Sequence, residues 1–149
     1  MNKKIIGVVA CSAVAASMAI GASASDELIK VGYAQVGHES DWRTANTQNY
    51  QDVFSEENGY ELSFVDCDND NAAQIEAVRN FINQELDYIV IAPIQSAGWD
   101  TVLQEAQDAG IPVIIADREI EASEDLYDAW VGTNTTNEGI TAGNWLAEN

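Results

Sequence analysis

Positive charge is scarce in this sequence. Six Lys and Arg stand against 25 Asp and Glu, a formal charge of −19 over 149 residues. A field of that sign repels phosphate polymers, which excludes nucleic acid and anionic membrane surfaces as partners. Cysteine and histidine are nearly absent: Cys11, Cys67 and His38 are all there is, and they fit no zinc spacing. Past residue 24 there is no G-x-G-x-x-G, no G-x-x-x-x-G-K-[ST] and no G-x-S-x-G elbow. These absences weigh against an enzyme, and nothing in the chain calls for a cofactor. The carboxylates are scattered rather than gathered into a tail, which argues against disorder, and the length suffices for one domain with a sizeable core.

There is one long apolar run. Lys3 and Lys4 precede an Ala-rich stretch from Ile5 to Gly21, and Ala22-Ser23-Ala24 supplies small residues for cleavage. The pattern predicts a secretory signal peptide over residues 1–24 and delivery to the periplasm or cell surface. Ser12, Ser17 and the many alanines make the run weakly hydrophobic for a membrane anchor. Lipidation at Cys11, after Val8-Val9-Ala10, is the alternative, but the apolar run continues well past it. After cleavage only Cys67 remains, so no intrachain disulfide can form.

The rest of the chain alternates between two periodicities. Strand-like runs cover residues 29–36, 60–66, 87–93, 111–116 and 126–132. Between them lie helical segments: one capped at Ser40 or Asp41 and stopped by Gly59, one capped at Asp70 or Asn71 with an Ile75, Val78, Phe81, Ile82 stripe, and one over residues 100–109 ended by Gly110. A last helix is capped near Thr136 or Asn137. Strand starts near residues 29, 60, 87 and 111 give units of βαβ length, which predicts an α/β, doubly wound parallel sheet.

In such a sheet all the strand carboxyl ends open on one edge, where ligands bind. The run Ile111-Pro112-Val113-Ile114-Ile115 leads to Asp117-Arg118, and a carboxylate beside a guanidinium can grip vicinal hydroxyls from both sides. A local ion pair capping the strand is the other possibility. The remaining ends bring Gln35, His38, Glu39, Asp41, Trp42 and Arg43, then Asp66, Asp68, Asn69 and Asp70, then Pro93, Ile94 and Gln95. Planar hydrogen-bonding groups with an indole among them suit a sugar-like ligand. Each residue also has a plainer reading. Trp42 sits at helical spacing and could be core, and Asp70 suits a helix cap. Asp66–Asp70 lacks the Gly and closing Glu of a calcium loop, so no metal is expected. His38 beside Glu39 could form an acid/base pair, yet no nucleophile accompanies them.

With these residues in view, the chain resembles the N-terminal part of a periplasmic sugar-binding protein of an ABC transporter, of the ribose and galactofuranose type. VGYAQVGHESDWRTA (31–45), QIEAVRNFINQELDYIVIAPI (74–94), GWDTVLQEAQDAGIPVIIADR (98–118) and TNTTNEGITAGNWLAE near the end carry the likeness. It implies that Asp117 and Arg118 match the family's sugar-binding Asp-Arg pair, that Trp42 and Arg43 match its aromatic and basic positions, and that Glu39 falls in the same loop. The ribose binders usually show Asn before the Pro that ends the third strand; here Ala92 stands there, which puts ribose in doubt and agrees with the galactofuranose-like branch.

The resemblance further implies a non-enzymatic binder that captures a monosaccharide by closing two lobes and passes it to a membrane permease, as a monomer when full length. Residues 25–132 would form the N-terminal sugar-binding lobe. Residues 133–149 would be a hinge crossing and the first helix of an incomplete second lobe. Half of such a clamp should hold sugar weakly, its binding face being open to water. Alternative roles on the same fold are a sensor feeding a chemoreceptor or histidine kinase, and less favourably a secreted sugar-acting enzyme using His38 and Glu39.

Overall fold

A computed structural model of the chain describes residues 27–149. The expected signal peptide and Cys11 lie outside the described residues. Five strands form one parallel sheet in the order β2-β1-β3-β4-β5: β1 Ile29–Gln35, β2 Tyr60–Asp66, β3 Tyr88–Ile91, β4 Val113–Asp117 and β5 Ala129–Gly132. The helices are α1 Asp41–Val53, α2 Asn71–Asn83, α3 Asp100–Asp108 and α4 Thr135–Glu148.

Strand alternation divides the apolar side chains between two faces. Ala34, Ile89, Ile91, Val113 and Ile115 pack with Val78, Phe81, Val102 and Leu103 of α2 and α3. Val31, Tyr33, Val90 and Ala116 face the other way, toward Tyr50 of α1 and the adjoining Phe54. Tyr33 stacks on Tyr50 with ring centroids 4.0 Å apart, and Tyr50 on Phe54 at 5.7 Å. Helices therefore lie on both faces, the doubly wound arrangement the spacing predicts. Gly32 is where α2 comes closest: a Cβ there would sit 2.6 Å from the Phe81 ring.

Several local signals act where expected. Ser40 caps α1 by accepting from Arg43 N, and Asp70 caps α2 by accepting from Ala72 N and Ala73 N. Trp99 is 1% exposed at the start of α3, its indole donating to Gln95 O at 2.8 Å. Others differ. Helix α1 ends at Val53, and Gly59 instead terminates a separate 3-10 turn, Glu56–Asn58, in left-handed backbone. Asn134, not Thr136 or Asn137, caps α4. Strand β4 starts at Val113 because Pro112 has no N–H for the ladder; its carbonyl accepts from Ile89 N. The run 126–132 divides into the end of a 3-10 turn and a short β5.

The strand order reverses between β1 and β3, and there one buried side chain joins three elements. Gln74 of α2, 0% exposed, donates Nε2 to Ala34 O at 3.1 Å and to Ala92 O at 2.6 Å, while its Oε1 accepts from Ile94 N at 2.9 Å. Replacing it by Leu leaves buried backbone groups unpaired. We expect Gln74→Leu to lower the unfolding free energy by about 2–4 kcal/mol in urea titrations, more than a typical surface substitution.

Cys67, just past β2, is buried in the core. Burial, reinforced by the carboxylates of Asp66 and Asp70, pushes its thiol from 9.0 up to about 11. The folded protein thus holds this proton more tightly than the unfolded chain. Its stabilising contribution is complete below pH 9.0 and is lost as the pH rises through about 11. Stability measured across that window should fall less steeply in Cys67→Ala than in the parent; equal slopes would remove the thiol as a cause.

Candidate functional site

The carboxyl ends of β1 and β4, on either side of β3, converge on one cluster of charge. Glu39 comes from the loop after β1, Trp42 and Arg43 from the first turn of α1, and Asp117 and Arg118 from the end of β4. Arg43 is its centre. Its Nη2 donates to Asp117 Oδ2 at 2.8 Å, and its Nε to Glu39 Oε1 at 3.4 Å, one turn back. The guanidinium carbon lies 4.7 Å from the Trp42 ring centroid, a cation–π contact. Arg118 Nη2 reaches the same Glu39 oxygen at 4.0 Å. The five residues that the family resemblance implies are therefore neighbours. Asp117 and Arg118 do not pair with each other, so the local ion pair is replaced by one spanning 74 residues.

Burial separates these residues into two kinds. Arg43 is 3% exposed, whereas Trp42 is 57% exposed and the Arg118 side chain 52%. Burial disfavours the Arg43 charge, but the hydrogen bond and charge of Asp117, with Glu39 behind them, outweigh that cost and raise its pKa. Its second terminal nitrogen, Nη1, is buried with no hydrogen-bond partner. An arginine held this way keeps a guanidinium and a carboxylate acceptor at a fixed spacing, the pairing that bidentate hydroxyl recognition uses.

Sequence reasoning missed what supports Arg43. Gln35, 0% exposed, points into the protein rather than onto the open edge. Its amide donates to Thr47 Oγ1, and Thr47 in turn donates to Arg43 O at 3.0 Å. The Tyr33 hydroxyl sits between Gln35 Oε1 and Asn46 Oδ1, and its burial pushes its pKa upward. The available signal was a polar residue at the end of an apolar run, which marks either an exposed ligand or a buried strut.

His38 and Glu39 do not form an acid/base pair. His38 Nδ1 contacts Asp66 Oδ2 across the β1–β2 edge, whereas Glu39 turns to the two arginines. Asp66 also accepts from Asp68 N and so serves its own turn, as Asp70 serves its helix. Among the described residues no group of three or more His, Cys, Asp or Glu is placed to hold a metal ion.

Comparison with known proteins gives a consistent result. Residues 31–149 match the family described as periplasmic binding protein domain. The galactofuranose-binding protein YtfQ of Escherichia coli (strain K12) is 40% identical over 149 residues, covering 99% of this chain and 45% of that protein. A structure from Mycobacterium smegmatis in complex with β-D-fucofuranose shares 44% identity at a TM-score of 0.75, over 80% of this chain and 40% of that one. The periplasmic binding protein component of the arabinose ABC transporter from Shewanella sp. ANA-3, bound to α- and β-L-arabinofuranose, shares 40% at 0.74, over 80% and 39%. The chain thus spans less than half the length of these relatives.

Proposed function

This chain belongs to the periplasmic binding protein family, and on that premise we propose that it carries the N-terminal half of a binding site for a monosaccharide, a galactofuranose-like hexose or a pentose. The protein binds the sugar without converting it and presents it to an ABC-transporter permease. The cluster Glu39, Trp42, Arg43, Asp117 and Arg118 at the strand carboxyl ends carries this reading. Arg43 and Asp117 supply a fixed donor–acceptor pair for adjacent hydroxyls. Arg118 adds a second fork, and the exposed indole of Trp42 offers an apolar face for ring C–H groups. The relatives named above are binders of galactofuranose, fucofuranose and arabinofuranose, which supports a five-membered ring as the form held.

The same reading divides the chain into a signal peptide over residues 1–24, a binding lobe over 25–132, and a crossing with the opening helix of a second lobe over 133–149. In support, α4 buries none of its residues and exposes Ile140, Trp145 and Leu146. A second lobe closing over the cluster would complete the ligand's contacts and shift an open–closed equilibrium toward the closed form. The protein works as a monomer in this scheme.

Arg118 and Trp42 provide the direct test because both are exposed and neither anchors the core. Isothermal titration with L-arabinose, D-galactose and D-fructose should show binding to the full-length parent protein and none to its Arg118→Ala variant. Trp42→Ala should bind about tenfold more weakly or worse, as loss of one interfacial aromatic commonly does. Both variants should melt close to the parent, their unfolding free energies changed by no more than about 0.5 kcal/mol. Unaltered affinity in Arg118→Ala would take that residue out of the site, and a collapse in stability of Trp42→Ala would make the indole structural.

A further inference from the structure

Of the five clustered residues, Asp117 alone has left-handed backbone, at φ 70°. Arg118 N donates to Ala116 O at 3.0 Å, so the chain closes a three-residue turn around Asp117. A γ-turn with positive φ is rare and strained for a residue with a side chain, and it persists only where the surroundings enforce it. Here the Asp117 side chain is tied to Arg43 on one side. The other side of the turn is met by β5.

The β4–β5 register sets Asp117 against Gly132. The Trp130 indole, two residues earlier, donates Nε1–H toward Asp117 O at 3.4 Å. Gly132 leaves the space into which that carbonyl turns: a Cβ there would collide with Asp117 O and lie 2.8 Å from Trp130 Nε1 and 2.9 Å from Asp117 C. Gly132 does not itself have positive φ, so what it supplies is close approach rather than conformational freedom.

We propose that Trp130 and Gly132 are positioning residues of the binding site. They hold the Asp117 turn from the β5 side, and this fixes both where the carboxylate meets Arg43 and the direction in which Arg118 leaves the strand. Their effect on sugar affinity rests on the function proposed above; their effect on the turn does not. The mechanism is geometric. Two vicinal hydroxyls accept a carboxylate and a guanidinium together only at one spacing, and a turn free to relax toward ordinary backbone loses it.

The test uses the whole protein as its source makes it, with Trp130→Phe, which keeps the ring but removes the donor, and Gly132→Ala. Without sugar, hydrogen exchange and the NMR position of the Arg118 amide report the turn. Both variants should exchange that amide faster and shift its resonance, with a near-parental melting temperature for Trp130→Phe. With L-arabinose, D-galactose and D-fructose, titration should show affinity falling by about ten- to a hundredfold, as a misplaced binding group does. A double-mutant cycle then separates positioning from general support: in an Asp117→Asn background Trp130→Phe should cost less affinity than in the parent, because the carboxylate it positions is gone while Arg118 remains. Independent, additive losses would overturn the proposal, as would an unmoved Arg118 amide together with unchanged affinity. If the parent binds none of the three sugars while the amide still responds in both variants, the sugar reading fails and the positioning of the turn stands. Should Gly132→Ala fail to fold, Trp130→Phe alone decides.

Discussion

A buried guanidinium needs a carboxylate, and much of the site's architecture follows from meeting that need. Arg43 sits in the first turn of α1, 3% exposed, with Asp117 at 2.8 Å. Leaving such a charge unpaired would cost several kcal/mol, so the carboxylate at the end of β4 has to face back across β3 toward α1. The carboxylate meets Arg43 from a positive-φ turn at Asp117, and Gly132 leaves room for that turn's carbonyl. On the other side, the first turn of α1 is held by Thr47 and, beneath it, Gln35. One ion pair thus links the conformations of β1, α1, β4 and β5.

This chain of constraints lies at the part of the sheet best able to hold it. Between β1 and β3 the strand order reverses and the connecting helices leave on opposite faces, which opens a crevice at the carboxyl edge. A crevice exposes backbone groups that a continuous ladder would have paired. Gln74 satisfies two of them, Ala92 O and Ile94 N, and adds a second bond to Ala34 O, which Ala92 N already meets, so that one amide bridges the ends of β1 and β3. A neutral, fully buried side chain thus ties the ends of β1 and β3 together beneath the charged cluster.

The fold was legible because its signals are repetitive. β-branched runs at regular spacing, Ser40 and Asp70 at helix starts, and Gly110 in left-handed backbone after α3 each state one local preference, and all agree. Strand carboxyl ends, easy to place along a chain, offered a wider set of polar residues, and the family resemblance narrowed it to the five that cluster. The wiring of those five was not legible. Nothing in Asp117-Arg118 as a dipeptide says that the aspartate answers an arginine 74 residues away, nor does the adjacency of His38 and Glu39 reveal that they turn to different partners. Gln35 stands among the strand-end residues expected at the open edge and Gln74 carries no signal of its own, and only tertiary packing shows both to be struts. Trp42 could be core by its helical spacing or part of the ligand edge by the resemblance, and it lies out on the surface beside Arg43.

The contrast between the two arginines has a physical consequence. Arg43 is held by its two carboxylates without any ligand, so in the proposed site its part in binding would cost little further ordering. Arg118 and Trp42 are more than half exposed and hold only loose partners, and ordering such side chains costs about 0.5–1.5 kcal/mol each. A site built only from residues like Arg118 would lose much of its interaction energy to that ordering. One built only from residues like Arg43 would be rigid but would have nothing free to close around a ring. In the proposed site, combining a buried pair that sets the hydroxyl geometry with exposed groups that complete the contact would give recognition at a fixed register while leaving the outer contacts able to adjust.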